Sequence, residues 1–158
     1  MITAVDTNVL LDVLLPDPTF AAASQHQLDL ALRQGGLLIG EVVYAELASR
    51  FPSQPALDGF LTDVHIRLEL SRPPALHQAA RAWQVYVAQR GRQIQCPRCG
   101  GRQTIACPNC GAPISPRQHI LSDFMIGGHA VTQADRLLTR DLGYYRTYFA
   151  ELTILSPT

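Results

Sequence analysis

An α/β fold with a mostly parallel sheet is what this sequence predicts, and three observations carry that reading. Short apolar runs, among them ITAV (2–5), LLIG (37–40) and LTIL (152–155), alternate with longer stretches of helical spacing. Strands joined by helices in this way pair in parallel. Two of the runs lead directly into an acid, Asp6 after ITAV and Asp141 after LLTR, and open α/β sheets build their sites at the carboxyl ends of strands. The 158 residues, 47% hydrophobic and 16% charged, are enough for a single domain with a core over 1–158.

The elements follow in order. MITAVDTNVLLDVLL opens with a strand ending at Asp6 and continues as an apolar helix. Phe20 to Gln34 reads as a helix stopped by Gly35-Gly36, and LLIG as the second strand. EVVYAELASRF (41–51) places Val42, Val43, Leu47 and Phe51 at core spacing, and Pro52 and Pro55 end it. Ala56 to Leu70 has the periodicity of one amphipathic helix. Pro73-Pro74 starts another, which runs to about Gln89. From Gly91 to Pro116 the pattern disappears into glycine, proline and cysteine. Helix resumes near His119 and includes LSDFMIGGHAV. RLLTRD is a strand, YYRTYF a short helix and LTIL the last strand.

Composition excludes several classes. The apolar N-terminus holds Asp6 and Asp12 and no basic residue, unlike a signal peptide, and no run approaches a membrane span. A cytoplasmic protein without a membrane partner is expected. Net charge is zero, but it is segregated. All thirteen basic residues are arginine, and Leu70 to Ser122 contains seven of them with no acid. The remainder therefore holds six arginines against thirteen acids, a net of −7. A basic segment beside an acidic remainder suits a protein that binds a polyanion and also gathers carboxylates around a cation. Arginine in place of lysine throughout is itself a mark of genome composition.

Two further acids interrupt apolar helical stretches, Glu46 in VVYAELA and Asp123 in HILSDFMIGG. A carboxylate on a face meant for burial is costly unless paired or bound to metal. With no lysine in the chain, a hard divalent cation such as Mg²⁺ or Mn²⁺ is the economical partner. Each acid also has an ordinary reading: Asp6 as a helix cap, Glu46 as a satisfied helical acid, Asp123 as a favourable charge at a helix N-terminus.

Taken together, V-D-T-N-V-L-L-D (5–12), V-V-Y-A-E-L (42–47), S-D-F-M-I-G-G-H-A (122–130) and L-L-T-R-D-L-G-Y-Y-R-T-Y-F (137–149) resemble the PIN-domain nucleases. They look most like the VapC-type ribonuclease toxins of prokaryotic toxin–antitoxin pairs. The resemblance implies a PIN-like three-layer fold with a central, mostly parallel sheet flanked by helices. It makes Asp6, Glu46, Asp123 and Asp141 the acids that hold one or two Mg²⁺ or Mn²⁺ ions, with Asn8 and Thr139 supporting them. It also implies hydrolysis of RNA phosphodiesters, a small antitoxin as partner, and compatibility with a homodimer. Asp12, Glu41 and Asp135 fall off the family's acidic positions and read as surface or capping residues. His119 and His129 flank the third motif and read as ordinary polar contacts. Two other readings stay open: a PIN-fold module that binds RNA or protein without turnover, and an RNA-processing nuclease that is not a toxin.

All four cysteines lie in CPRCGGRQTIACPNCG (96–111). Cys96, Cys99, Cys107 and Cys110 form two C-P-x-C-G pairs, enough thiolates for one tetrahedral Zn²⁺, and Gly100 and Gly111 suit the turns in which backbone N–H groups face sulfur. A disulfide is disfavoured in a cytosolic chain, and a redox pair would need only one C-x-x-C. Residues 91–117 are thus expected to be a zinc-knuckle insertion ordered by its ion, a departure from the usual PIN pattern. It is either a tolerated surface loop or a functional one beside the catalytic pocket. In the second case Arg92, Arg98, Arg102 and Arg117 would grip substrate phosphates, or the insert would meet a partner protein.

Overall fold

Five parallel strands form the sheet of the computed structural model, which describes residues 1–89, 93–95, 102–114 and 120–157. The strands are β1 (Ile2–Val5), β2 (Gly36–Ile39), β3 (Ile66–Leu68), β8 (Arg136–Leu138) and β9 (Ile154–Leu155), in the order β3-β2-β1-β8-β9. Thr3 faces Leu37 on one side and Arg136 on the other, so β1 is central and both its neighbours run with it. Its ends explain why: Val5, Leu38, Ile39, Leu137 and Leu138 are all almost completely buried, as a strand covered on both faces requires. Arg136 is the polar exception. Its Nε donates to Thr3 Oγ1 at 2.8 Å and its Nη2 to Gln34 Oε1 at 2.7 Å, which satisfies a buried guanidinium without an acid.

The helices are α1 (Thr7–Leu14), α2 (Ala21–Gln34), α3 (Glu41–Ala48), α4 (Gln54–Asp63), α5 (Pro73–Gln89), α6 (Leu121–Gln133) and α7 (Leu142–Tyr148). Helices α5 and α6 pack along one another. The glycine pair in α6 makes this close approach possible. A Cβ at Gly128 would overlap the Ala75 carbonyl, and one at Gly127 would overlap the Phe149 ring. Glycine inside a helix costs about 1 kcal/mol, and here that cost seats the helix bearing Asp123 between α5 and Phe149. Around Phe124 an aromatic cluster closes the layer, with Trp83, Tyr144 and Tyr148 at 5.1–5.5 Å between ring centres.

One expectation is corrected. Ala56 to Leu70 is not one helix: α4 starts at Gln54 and ends at Asp63, and Ile66–Leu68 is the edge strand β3. The break is at His65, whose φ of 56° is left-handed, a conformation usually supplied by glycine. Nothing in the side-chain periodicity marks it, because Leu57, Leu61 and Ile66 are buried in both arrangements. RLLTRD is shorter than expected as a strand, since β8 stops at Leu138 and leaves Thr139-Arg140-Asp141 as a turn.

The insert stands apart from the sheet. Its described residues form two small antiparallel pairs, β4 (Ile94–Gln95) with β5 (Arg102–Gln103), and β6 (Ile105–Ala106) with β7 (Pro113–Ile114). Ile105 and Ile114 face each other across the second pair and remain about 40% exposed, so this hairpin buries no core of its own.

Candidate metal and phosphodiester site

Asp6 lies one residue beyond β1, where the backbone leaves the sheet and turns into α1. Its amide donates to Leu138 O at 3.0 Å, so the end of β1 is locked to the end of β8. That pairing places the Thr139-Arg140-Asp141 turn beside the start of α1. Thr139 Oγ1 donates to Asp6 Oδ2 at 2.6 Å and accepts from the Asp141 amide at 3.0 Å. Asn8 Nδ2 donates to the same Asp6 oxygen at 2.8 Å and lies 3.2 Å from Thr139 Oγ1, while Asn8 Oδ1 accepts from the Arg140 amide at 3.2 Å. One carboxylate oxygen of Asp6 thus takes the network's hydrogen bonds. The buried Tyr145 hydroxyl approaches it as well, at 3.4 Å.

Each of the other acids also accepts a hydrogen bond. Glu46, on the last turns of α3, accepts from the Thr7 hydroxyl. Asp123, in the first turn of α6, accepts the Ile120 amide on Oδ2 at 2.9 Å. Asp141 caps α7, with Oδ1 accepting the Tyr144 amide at 3.2 Å. Asp6, Asp123 and Asp141 therefore stand at the N-terminal ends of three helices, where the helix dipole favours negative charge. Glu46 lacks that help and leans on Thr7. Neither Asp6, Glu46 nor Asp141 has an ion-pair partner among the described residues.

Electrostatics record the crowding. Asp6 is 6% exposed, and burial pushes its carboxyl up to about 6; the Thr139 hydrogen bond opposes this and the charge of Glu46 adds to it. The Tyr145 hydroxyl is raised well above its usual value by burial first, then by the charges of Asp6, Asp123 and Asp141 among its neighbours. The charges of three of the four acids thus act on one phenol, and that of Glu46 acts on Asp6. Among the described residues, no three carboxylate, imidazole or thiol groups converge into a ready cage for an ion. Mg²⁺ needs no such cage: it keeps several waters and binds through one or two carboxylates plus substrate phosphate.

Four other residues are placed by the structure. Asp12, expected at the surface or as a cap, is instead 3% exposed and ion-paired with Arg140 at 3.1 Å, because the turn after β8 reaches back along α1. Glu41 Oε2 accepts the Ser71 amide and hydroxyl, and Asp135 Oδ2 accepts the Ile2 amide at 2.6 Å. His129 Nε2 meets the Glu69 carbonyl at 2.8 Å, an ordinary buried contact. Two participants escaped the sequence reading, Thr7 and Tyr145. Thr7 sits between the two motif residues Asp6 and Asn8, and Tyr145 in the YY of the last motif, yet neither carries a charge to mark it.

In the insert, Cys107 and Cys110 are described. The backbone N–H groups of Cys110 and Asn109, then the Cys110 side chain, hold the Cys107 thiol below its usual range. Gly111 takes φ +70°, its amide donating to Cys107 O at 2.9 Å, while the Cys107 amide closes the hairpin on Ala112 O. Amides aimed at a sulfur suit a metal-bound thiolate, so this half of the motif fits zinc. Cys96, Cys99, Arg92, Arg98, Arg117 and His119 lie outside the described residues, as does the side chain of Arg102.

A cavity lies elsewhere among the described residues. About 250 Å³ in volume, it lies between α2 and α4, lined by Leu28, Leu32, Phe60, Val64 and Ile66, and none of the four acids borders it. Among the described residues, no helix is long and apolar enough to cross a membrane.

The fold is PIN-like and is shared with chains of known structure. A chain of the VapBC2 structure from Rickettsia felis, bound to a DNA fragment from its promoter, superposes with a TM-score of 0.63 at 18% identity, over 99% of this chain and 98% of that one. VapBC-1 from nontypeable Haemophilus influenzae gives 0.64 at 16% identity, with the same coverage. FitAcB from Neisseria gonorrhoeae gives 0.60 at 17%, covering 99% and 98%. No protein-family model and no curated protein matches the sequence.

Proposed function

We propose that this chain is a metal-dependent endoribonuclease, acting as the toxin of a toxin–antitoxin pair, with a zinc-ordered insert that serves substrate or partner binding. The observation that carries the reading is Asp6: a carboxylate buried at the end of the central strand, one oxygen taking hydrogen bonds from Asn8 and Thr139, its proton affinity raised further by the charge of Glu46, with no cationic partner among the described residues. A fold has little reason to keep such a group unless a cation joins it. Likeness of fold to chains from VapBC and FitAcB structures supports the same reading and supports a small protein as the partner.

In this proposal Asp6, Glu46, Asp123 and Asp141 hold one or two Mg²⁺ or Mn²⁺ ions. Such an ion supplies an activated water and neutralises charge on the phosphate and the leaving oxygen. The protein's own part is to fix the acids: Thr139 and Asn8 orient Asp6, Thr7 orients Glu46, and the amides of Ile120 and Tyr144 orient Asp123 and Asp141. In the insert, Cys96, Cys99, Cys107 and Cys110 hold zinc, and Arg92, Arg98, Arg102 and Arg117 meet phosphates.

The test is cleavage of single-stranded and structured RNA by purified protein in Mg²⁺, Mn²⁺ or EDTA, with Asp6→Asn in parallel. Cleavage that requires both the ion and Asp6 is expected. A folded, inhibitor-free protein that cuts no RNA would move the assignment to a binding module without turnover.

A further inference from the structure

Arginine stands between Thr139 and Asp141, in a turn beside the carboxylates proposed to hold a cation. A guanidinium there can lie across the acids and compete with the ion, or be drawn away from them. It is drawn away. Arg140 Nη2 reaches Asp12 Oδ1 at 3.1 Å, and its guanidinium carbon lies 4.4 Å from the centre of the Phe20 ring. Asp12 is itself anchored, its Oδ2 accepting the Ser24 hydroxyl at 2.7 Å. The backbone of the same residue points the other way, its amide donating to Asn8 Oδ1.

We infer that Arg140 is a positioning residue for the carboxylate centre. The Asp12–Arg140 pair, stacked on Phe20, holds the turn so that Thr139 faces Asp6 and Asp141 caps α7 at the same edge. This rests on the proposed nuclease reading. The arrangement is an expensive way to pin a loop. Asp12 gives up its water, and Arg140 Nε is buried without a hydrogen-bond partner among the described residues; apolar residues of similar size would hold the loop at lower cost. What the ion pair adds is direction. A rigid planar cation is fixed along α1, and the turn behind it is tied on both sides, by Asn8 at the backbone and by Asp12 at the side chain.

The role is tested by Mn²⁺ binding, read from the electron paramagnetic resonance signal of the free ion, for wild type, Arg140→Gln, Arg140→Lys and Asp6→Asn. If Arg140 only added positive charge near the acids, its removal would tighten Mn²⁺ binding. If it positions the turn, removal weakens binding, by about tenfold, because the turn it holds carries Thr139, the hydrogen-bond partner of Asp6. Arg140→Lys, which keeps the charge but not the planar stack, should recover part of the loss. If Arg140→Gln does not fold, Phe20→Leu, which removes the stack alone, should still weaken binding. Unchanged or tighter binding in a folded variant, with Asp6→Asn abolishing it, overturns the positioning role alone. Wild type that binds no Mn²⁺, or Asp6→Asn that binds as well as wild type, overturns the nuclease reading and this inference with it.

Discussion

The acidic edge of the sheet and the cysteine hairpin are both charge-bearing sites, and they are built in opposite ways. Asp6 is held by residues from α1, β8, the turn after it and α7, and one of its bonds spans 133 positions of the sequence. It is 6% exposed, set at the end of the central strand. Cys107 is held by Asn109, Cys110, Gly111 and Ala112, all within five residues, on a hairpin whose Ile105 and Ile114 stay exposed. The first site is built by the core. The second is held, among the described residues, by local hydrogen bonds alone, the kind of loop that a bound metal would order. Under the proposed function, removing the metal from the edge should cost activity, whereas removing it from the hairpin should cost the hairpin.

The largest effect expected is on chemistry. Asp6→Asn should lower RNA cleavage by about 10³-fold or more, since charge stabilisation by a lost ion is worth several kcal/mol, while the fold survives. Retained cleavage would break the contrast at its root. Next comes the core beneath the site. Leu38→Ala, on the fully buried second strand, should cost about 2–5 kcal/mol, read by urea denaturation. Ile105→Ala on the hairpin should stay within about 0.5 kcal/mol, and equal costs would mean that the hairpin belongs to the core after all.

Asp6 also gives the edge a pH signature in the acid range. Its folded pKa, about 6, lies above the ordinary 3.8, so the folded state holds the proton more tightly than the unfolded one. Well below pH 3.8 both states are protonated and Asp6 contributes nothing, and the cost begins to build at pH 4. As pH rises through 6, the metal-free fold must carry an unfavourable charge worth about 3 kcal/mol. Asp6→Asn should thus stabilise metal-free protein far more at pH 7.5 than at pH 4, measured as the difference in urea midpoint. A difference that shrinks as pH rises would overturn this account. The smallest effect on the core is expected from Cys107→Ser. Bound zinc should fall from one per chain to none by atomic absorption, while the main unfolding transition moves by no more than about 0.5 kcal/mol.

The two regions also differ in how far they could be read in advance. Strand-end acids announce themselves, because Asp6 and Asp141 follow apolar runs with no other reason to stop. The supporting pair, Asn8 and Thr139, came with the motifs. Asp12 did not: its partner Arg140 is brought near only by the pairing of β1 with β8, and an acid on an amphipathic helix looks like a surface residue until that partner is known. Tyr145 was hidden because a phenol in an aromatic cluster reads as packing. β3 was hidden because it is three residues long and is entered through a left-handed histidine where a glycine would have flagged the turn. The cysteine spacing was legible at once, being local, although Cys96 and Cys99 lie outside the described residues.

The pairing of Thr3 with Arg136 fixes when, as well as where, the acidic edge can exist. A ribosome that has translated as far as Asp135 has already polymerised Asp6, Asn8, Glu46 and Asp123. It has not yet supplied the strand that flanks β1 or the threonine that orients Asp6. Contacts of such long range form late, so every truncated or stalled product ending before β8 carries half an edge. Synthesis itself keeps the centre unassembled until nearly all of the residues that build it have been made.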